Sequence, residues 1–283
     1  MRKIVLDIFA KIVGIAAVSG ITYSDSTIHL VSDLDSTINI YKNDALTMTP
    51  LIPADSVIYK DGVLNLPKKF KPDFEAIYEN DSLIYVFGSG SKKTRNFGYI
   101  INKSTLEYEF LDLTWLYDSM RDFAELDKKD FNIEGVTYAR GEWYFFNRGN
   151  GPGNKNIIFT VQGENLVDDF NVFYQEYELP EINGQVSGFS DATAVNGVLY
   201  FIATAEETKS TYNDGEVLGS LLGAIPLKDM EITFTQKISD TQKFEGITVY
   251  QKSPRKIEFL LSEDNDTTEL ESTIYKLSMD VEF

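Results

Sequence analysis

The chain has 283 residues, 43% of them hydrophobic and 13% aromatic, with 19 Phe and 16 Tyr, no Cys and one His. The missing cysteine excludes disulfides, thiolate nucleophiles and zinc–sulfur centres, and a single histidine excludes a His-cluster metal site within the chain. A formal charge of −18 argues against nucleic acid or an anionic membrane as partner, since both call for a basic surface, and it favours cations near any acidic cleft.

The first segment, MRKIVLDIFAKIVGIAAVSG, has the basic start and small-residue stretch of a signal peptide, but Asp7 and Lys11 interrupt its apolar run. A cytoplasmic protein is expected, with a secreted or periplasmic one as the alternative. No run approaches the ~18 uninterrupted apolar residues of a membrane helix.

From residue 19 a short phrase recurs, an acid and a small residue before an apolar strand. It reads Ser19-Gly20-Ile21-Thr22-Tyr23, Glu75-Ala76-Ile77-Tyr78, Glu134-Gly135-Val136-Thr137-Tyr138, Asp191-Ala192-Thr193-Ala194-Val195 and Glu245-Gly246-Ile247-Thr248-Val249. The steps between first positions are 56, 59, 57 and 54 residues. A second strand follows each phrase: IHLVSD, IYVFGS, WYFFNR, LYFIAT and IEFLLSED. After a polar loop come third strands STINIYK, FGYIINK, NIIFTVQ, LLGAIPL and STIYKLS, then a more variable fourth such as ITFTQKIS.

Four strands in about 57 residues make the unit of a β-propeller blade. The reading is therefore all-β, a five-bladed β-propeller with four-stranded blades, or six-bladed if a degenerate blade escapes the count. One domain spans residues 1–283, in units of about 19–74, 75–133, 134–190, 191–244 and 245–283 plus 1–18. Glu245 lies 38 residues from the C-terminus and Ser19 a further 19 in, which together restore one repeat. KIVLDIFAKI, residues 3–12, is thus predicted as the fourth strand of the last blade, closing the ring and covering a sheet edge. The main insertion is LTWLYDSMRDFAEL, residues 113–126, whose Leu116, Met120 and Phe123 fall at helical spacing.

The first strand of a propeller blade lines the central channel, so Glu75, Glu134, Asp191 and Glu245 should meet at one mouth, with Ser19 in the fifth place. Two carboxylates ~6 Å apart repel by about 3 kcal/mol at an effective dielectric near 20. Four of them need protons, basic partners or a cation. Oxygen ligands without histidine favour calcium, with magnesium or manganese behind it. The structural alternative is that each acid accepts backbone N–H bonds where blades meet.

Loops after the second strands belong near the same mouth. They carry Asp33, Asp35, Lys92, Lys93, Arg95, Asn147, Arg148, Glu206, Glu207, Glu263 and Asp264. Arg95 and Arg148 are the preferred ligand contacts because a guanidinium grips carboxylate or phosphate with two bonds. Asn147, Asp33 and Lys93 are further candidates.

The phrase resembles the repeat of the phytase-like and "esterase-like activity of phytase" propellers and of SdiA-regulated periplasmic propellers. It most resembles a bacterial propeller family of this length, of uncharacterised function and common in Bacteroidetes. The resemblance spans all five repeats through short motifs. It implies a propeller, and calcium held by carboxylates at the channel mouth: here Glu75, Glu134, Asp191 and Glu245, with Ser19 departing from the pattern. The phosphate-binding lysines and arginines of phytases have no clear match.

Other signals are weaker. GNGPGN, residues 149–154, lacks the phosphate-loop frame and reads as a turn. EDNDTTELE, residues 263–271, lacks the glycine of a calcium-binding EF-hand loop. His29 falls where other units have Tyr85, Tyr144, Tyr200 and Glu258, a packing position. Trp143 to Phe146 reads as buried strand.

The expected function is a phytase-like propeller that binds a divalent cation and a small anionic or sugar-like ligand at the channel mouth. As an enzyme it would be a metal-assisted hydrolase of an ester, lactone or phosphoester, with Glu134, Glu75 or Glu245 as general base. The alternative is a non-catalytic scaffold that recognises a protein or glycan. A monomer is the expected state.

Overall fold

The structure is a computed structural model that describes residues 2–51, 59–60, 63–64, 72–163, 165–207, 215–264 and 270–281. Alternation of apolar and polar residues over short runs produces five four-stranded antiparallel sheets. From the axis outward, blade one is Val18–Ser24, Thr27–Ser32, Thr37–Lys42 and Ala45–Pro50. Blade two is Phe74–Glu79, Leu83–Gly88, Phe97–Asn102 and Tyr108–Asp112. Blade three is Ile133–Ala139, Glu142–Asn147, Asn156–Gln162 and Asn171–Tyr177. Blade four is Gly188–Val195, Val198–Glu206, Val217–Pro226 and Phe234–Ser239.

Blade five takes Phe244–Ser253, Lys256–Glu263 and Glu271–Asp280 from one end of the chain and Ile4–Val13 from the other. Ile4 pairs with Met279 and Val13 with Glu271 in an antiparallel ladder. The two chain ends are therefore stitched together as the repeat arithmetic requires. The innermost strands of neighbouring blades touch one another around a closed ring.

The core is divided in the same way. Five apolar clusters lie one between each pair of neighbouring blades: Val31 with Val86, Phe87 with Phe145, Phe146 with Phe201, Phe201's neighbour Ile202 with Phe259, and Leu260 with Leu30. Each fully buried Phe contributes about 1.5–3 kcal/mol by leaving water. Blades are thus held by their neighbours' side chains rather than by their own sheet alone. The insertion forms the helix Thr114–Phe123, which buries Leu116, Tyr117 and Met120. Phe123, which shares their helical spacing, is 55% exposed. Tyr117 takes the third apolar place instead, and its hydroxyl donates to the Gly88 carbonyl at 2.8 Å.

Each inner strand carries one extra residue at its start. The pairing skips Ser19, Glu75, Glu134 and Glu245 in four blades. In blade four it skips Ser190. Bulges of this kind kink a strand and redirect one side chain. The fourth phrase is therefore displaced by one residue: Ser190 stands where the other blades have their acid, and Asp191 stands where they have Gly20, Gly135 and Gly246. His29 pairs with Thr22 as Leu260, not Glu258, pairs with Thr248, because the hairpin of blade five extends further, to Ser253 and Lys256.

Candidate functional site

At the end of the channel where the inner strands begin, the bulges bring Glu75, Glu134 and Glu245 within electrostatic reach of one another. Arg148, the first residue beyond the strand Glu142–Asn147, enters this group. Its Nη1 lies 3.3 Å from Glu134 Oε2 and 3.4 Å from Glu245 Oε1, and its Nη2 pairs with Glu206. Lys243 adds a second cation, with Nζ 3.0 Å from Glu245 Oε1, 3.0 Å from Asp264 Oδ2 and 3.6 Å from Glu206 Oε1. All of these side chains but Glu75 are buried. One guanidinium thus ties blades three, four and five together across the axis.

The electrostatics follow from burial and charge count. Burial pushes Glu134 and Glu245 above the usual carboxylate range, against the pull of Arg148 and Lys243. The surrounding carboxylates hold the protons on Arg148 and Lys243 more firmly than usual, despite their burial. A charge taken from water survives only when paired in this manner.

Glu75 is different. It is half-buried and makes no hydrogen bond or ion pair among the described residues. Burial first, then Glu134, Asp73, Asp33 and Glu245, push its carboxyl well above the usual range. Asp73, two residues before it, is held by Arg95 and by hydrogen bonds from Ser89 and Ser91. The mouth therefore contains carboxyls whose proton affinity burial has raised, with cations beside Glu134 and Glu245 and none paired with Glu75.

Asp191 lies within electrostatic reach of Glu134 but is committed to the backbone. Its Oδ2 accepts the Ile247 backbone N–H at 2.8 Å, bridging the inner strands of blades four and five. This is the structural role weighed for the repeated acid, and it corrects the reading of Asp191 as a fourth equivalent carboxylate. Ser19, in the fifth place, donates to the Phe74 carbonyl across the next blade boundary.

Of the loop candidates, Arg148 stands at the centre of the cluster and Arg95 at its edge on Asp73. Asp33 lies close enough to influence Glu75. Asn147 is wholly buried and its amide is spent on the Asp130 and Lys155 carbonyls and the Asn132 N–H. Lys93 is exposed on the 3-10 turn Lys93–Arg95 and forms no ion pair among the described residues. Lys243 and Asn132 were not singled out from sequence. Each stands two residues before a phrase acid and bonds to it, Lys243 to Glu245 and Asn132 to Glu134. That offset was the available signal.

Among the described residues no group of three Asp, Glu or His side chains is arranged to hold a metal ion. Arg148 and Lys243 supply much of the positive charge for which calcium was expected. Residues 265–269 of the EDNDTTELE loop lie outside the described residues. A hollow of about 180 Å³ opens beside Arg148 and Glu206.

The family model described as "Family of unknown function (DUF6929)" matches residues 14–279. No curated protein sequence matches the chain. Among solved structures, the chain is similar to the Myxococcus xanthus glutaminyl cyclase, at 12% identity and a TM-score of 0.55, covering 99% of this chain and 98% of that one. It is also similar to the Bacteroides ovatus xyloglucan PUL GH43B, at 10% identity and a TM-score of 0.51, covering 95% of this chain and 53% of that one. At such identities the likeness is one of fold.

Proposed function

The chain belongs to the DUF6929 family, and from that premise we propose that it is a hydrolase working at the acidic mouth of its propeller channel on a small sugar-like substrate. The observation that carries the reading is Glu75, a half-buried residue whose carboxyl has no partner among the described residues, beside carboxylates anchored by Arg148. Bond hydrolysis by acid–base chemistry needs this division: one group that keeps a proton for the leaving oxygen and another that stays ionised to activate water. Glu75 is the proton donor, and Glu134, which Arg148 and Lys243 pull back toward its ionised form, the base. Arg148 is a positioning residue for both carboxylates.

The acid excess favours a neutral, sugar-like ligand over an anionic one, since an anion would approach against the local field. The short-motif resemblance to phytase-like propellers supports ester, lactone or phosphoester hydrolysis, and similarity to the Bacteroides ovatus xyloglucan PUL GH43B adds a glycosidic bond to that set. The test is turnover of aryl glycosides, aryl esters and lactones by wild type and Glu75→Gln. Loss of turnover on a poor leaving group, with turnover kept on a dinitrophenyl leaving group, supports Glu75 as donor. Equal loss on both removes it from that role.

The same observation favours a second occupant of the Glu75 site, a divalent cation in place of the proton, with calcium the oxygen-seeking choice. Proton and cation then compete. Calcium should raise the melting temperature more at pH 8 than at pH 5, and this gain should vanish in Glu75→Gln. An equal calcium effect in both proteins rejects the site.

A further inference from the structure

The opposite end of the channel is built from different chemistry. Where the inner strands end, the fourth place of each repeat is Thr22, Tyr78, Thr137, Thr193 and Thr248, in register across the five blades. These residues line a cavity of about 550 Å³. Thr22, Thr137 and Thr248 are more than nine-tenths buried. None of the four threonine hydroxyls forms a hydrogen bond among the described residues; Thr22 Oγ1 is shielded from the cavity as well, so the hydroxyls an occupant can reach are those of Thr137, Thr193 and Thr248. A buried hydroxyl left without a bond is unfavourable. A ring of such groups calls for an occupant that supplies both donors and acceptors.

Tyr78 and Tyr138 also border a second hollow of about 720 Å³, together with Tyr85 and Trp143. Tyr78 and Tyr85 pack edge to face on Trp143, with centroids 5.1 and 5.0 Å away, and Tyr138 packs tilted on it at 5.0 Å. Their mutual packing spends ring surface on one another. The phenol groups of Tyr78, Tyr85 and Tyr138 are close enough to influence each other electrostatically, and none forms a hydrogen bond among the described residues. The rim is acidic, with Asp25, Asp81 and Asp169. Its lysine, Lys103, is already bonded to Ser24 and lies 3.8 Å from Glu79.

This combination selects among ligand classes. An acidic rim disfavours anions. A cation would need open aromatic faces, and here the rings face one another. Clustered hydroxyls that donate and accept, beside aromatic surface in a cavity of a few hundred Å³, suit a neutral polyhydroxylated ring. We infer that the far mouth of the channel is a second ligand site, which binds a neutral carbohydrate through the threonine ring and the Tyr78, Tyr85 and Tyr138 hydroxyls. It takes no part in the chemistry proposed for the acidic mouth and does not rest on it.

The test is calorimetric titration of the full chain with xylo-, cello- and maltotetraose, with choline and inorganic phosphate as the charged probes. At least one oligosaccharide should bind. Tyr138→Phe, which deletes one hydroxyl from a side chain 37% exposed, should weaken that binding about tenfold, as the loss of one or two hydrogen bonds would. Thr137→Val should weaken it similarly, and Glu75→Gln should leave it unchanged. Thermal melts of the variants within about 2–3 °C of wild type separate lost contact from lost fold. The inference is overturned if none of the three oligosaccharides binds, if choline or phosphate binds in their place, or if folded Tyr138→Phe and Thr137→Val bind like wild type.

Discussion

Replacing Glu75 with Gln should make the protein more stable at neutral pH. In the folded chain, burial and four acidic neighbours raise the proton affinity of Glu75 well above its ordinary value, which is about 4.3 in an unfolded chain. Folding therefore favours the protonated form. The stability this provides is complete below the unfolded value and is lost as pH rises through the folded one. Each pH unit in that window removes about 1.4 kcal/mol, so at pH 7 the cost cannot exceed about 3.7 kcal/mol. Channel water screens a partly open group, which brings the expected gain for Glu75→Gln to about 1–3 kcal/mol. For a chain of 283 residues this is roughly 2–5 °C in Tm. Melting both proteins from pH 4 to 8.5 in chelator measures it. The variant should gain steadily with pH and match wild type near pH 4. Parallel curves, or a variant less stable at pH 8, would refute the placement of Glu75 among like charges.

Arg148→Met removes the cation shared by Glu134, Glu206 and Glu245. It should cost about 3–5 kcal/mol at pH 8, and less at pH 5 where the stranded carboxylates take up protons; melts of the single variant and of Arg148→Met with Glu245→Gln check it, the second change restoring part of the loss. Deleting residues 1–13 takes away the strand Ile4–Val13 and buried Ile12, and bares the Glu271–Asp280 edge. The truncated chain should melt at least 10 °C lower, by about 5 kcal/mol or more, and should associate on size exclusion; an unchanged, monodisperse protein would show that the ring does not need its closing strand.

The propeller was legible because repetition is a property of the chain itself. A blade cannot bury both faces alone, so the same apolar strands must return at near-equal spacing, and closure shows as a missing fourth strand at one end and a spare one at the other. The acid at the start of each phrase was legible for the same reason. Asp191 was misplaced because a bulge adds one residue without altering the local pattern, and only strand pairing shows that Ser190 holds the acid's position. The Thr22, Thr137, Thr193 and Thr248 ring escaped notice because threonine in a strand reads as ordinary β preference.

From its order of residues alone, this protein determined five blades, their boundaries within a few residues, the closing strand and the end of the channel where acids gather. Those features depend on neighbours along the chain and on a fixed period. The tertiary structure decided how the charges pair. Arg148 and Glu245 stand 97 positions apart and meet only because the ring closes. Whether a carboxyl there is anchored, bonded to a backbone N–H or left with its proton depends on distances of a few ångströms across the axis, over which Coulomb energy in a buried site changes by kilocalories.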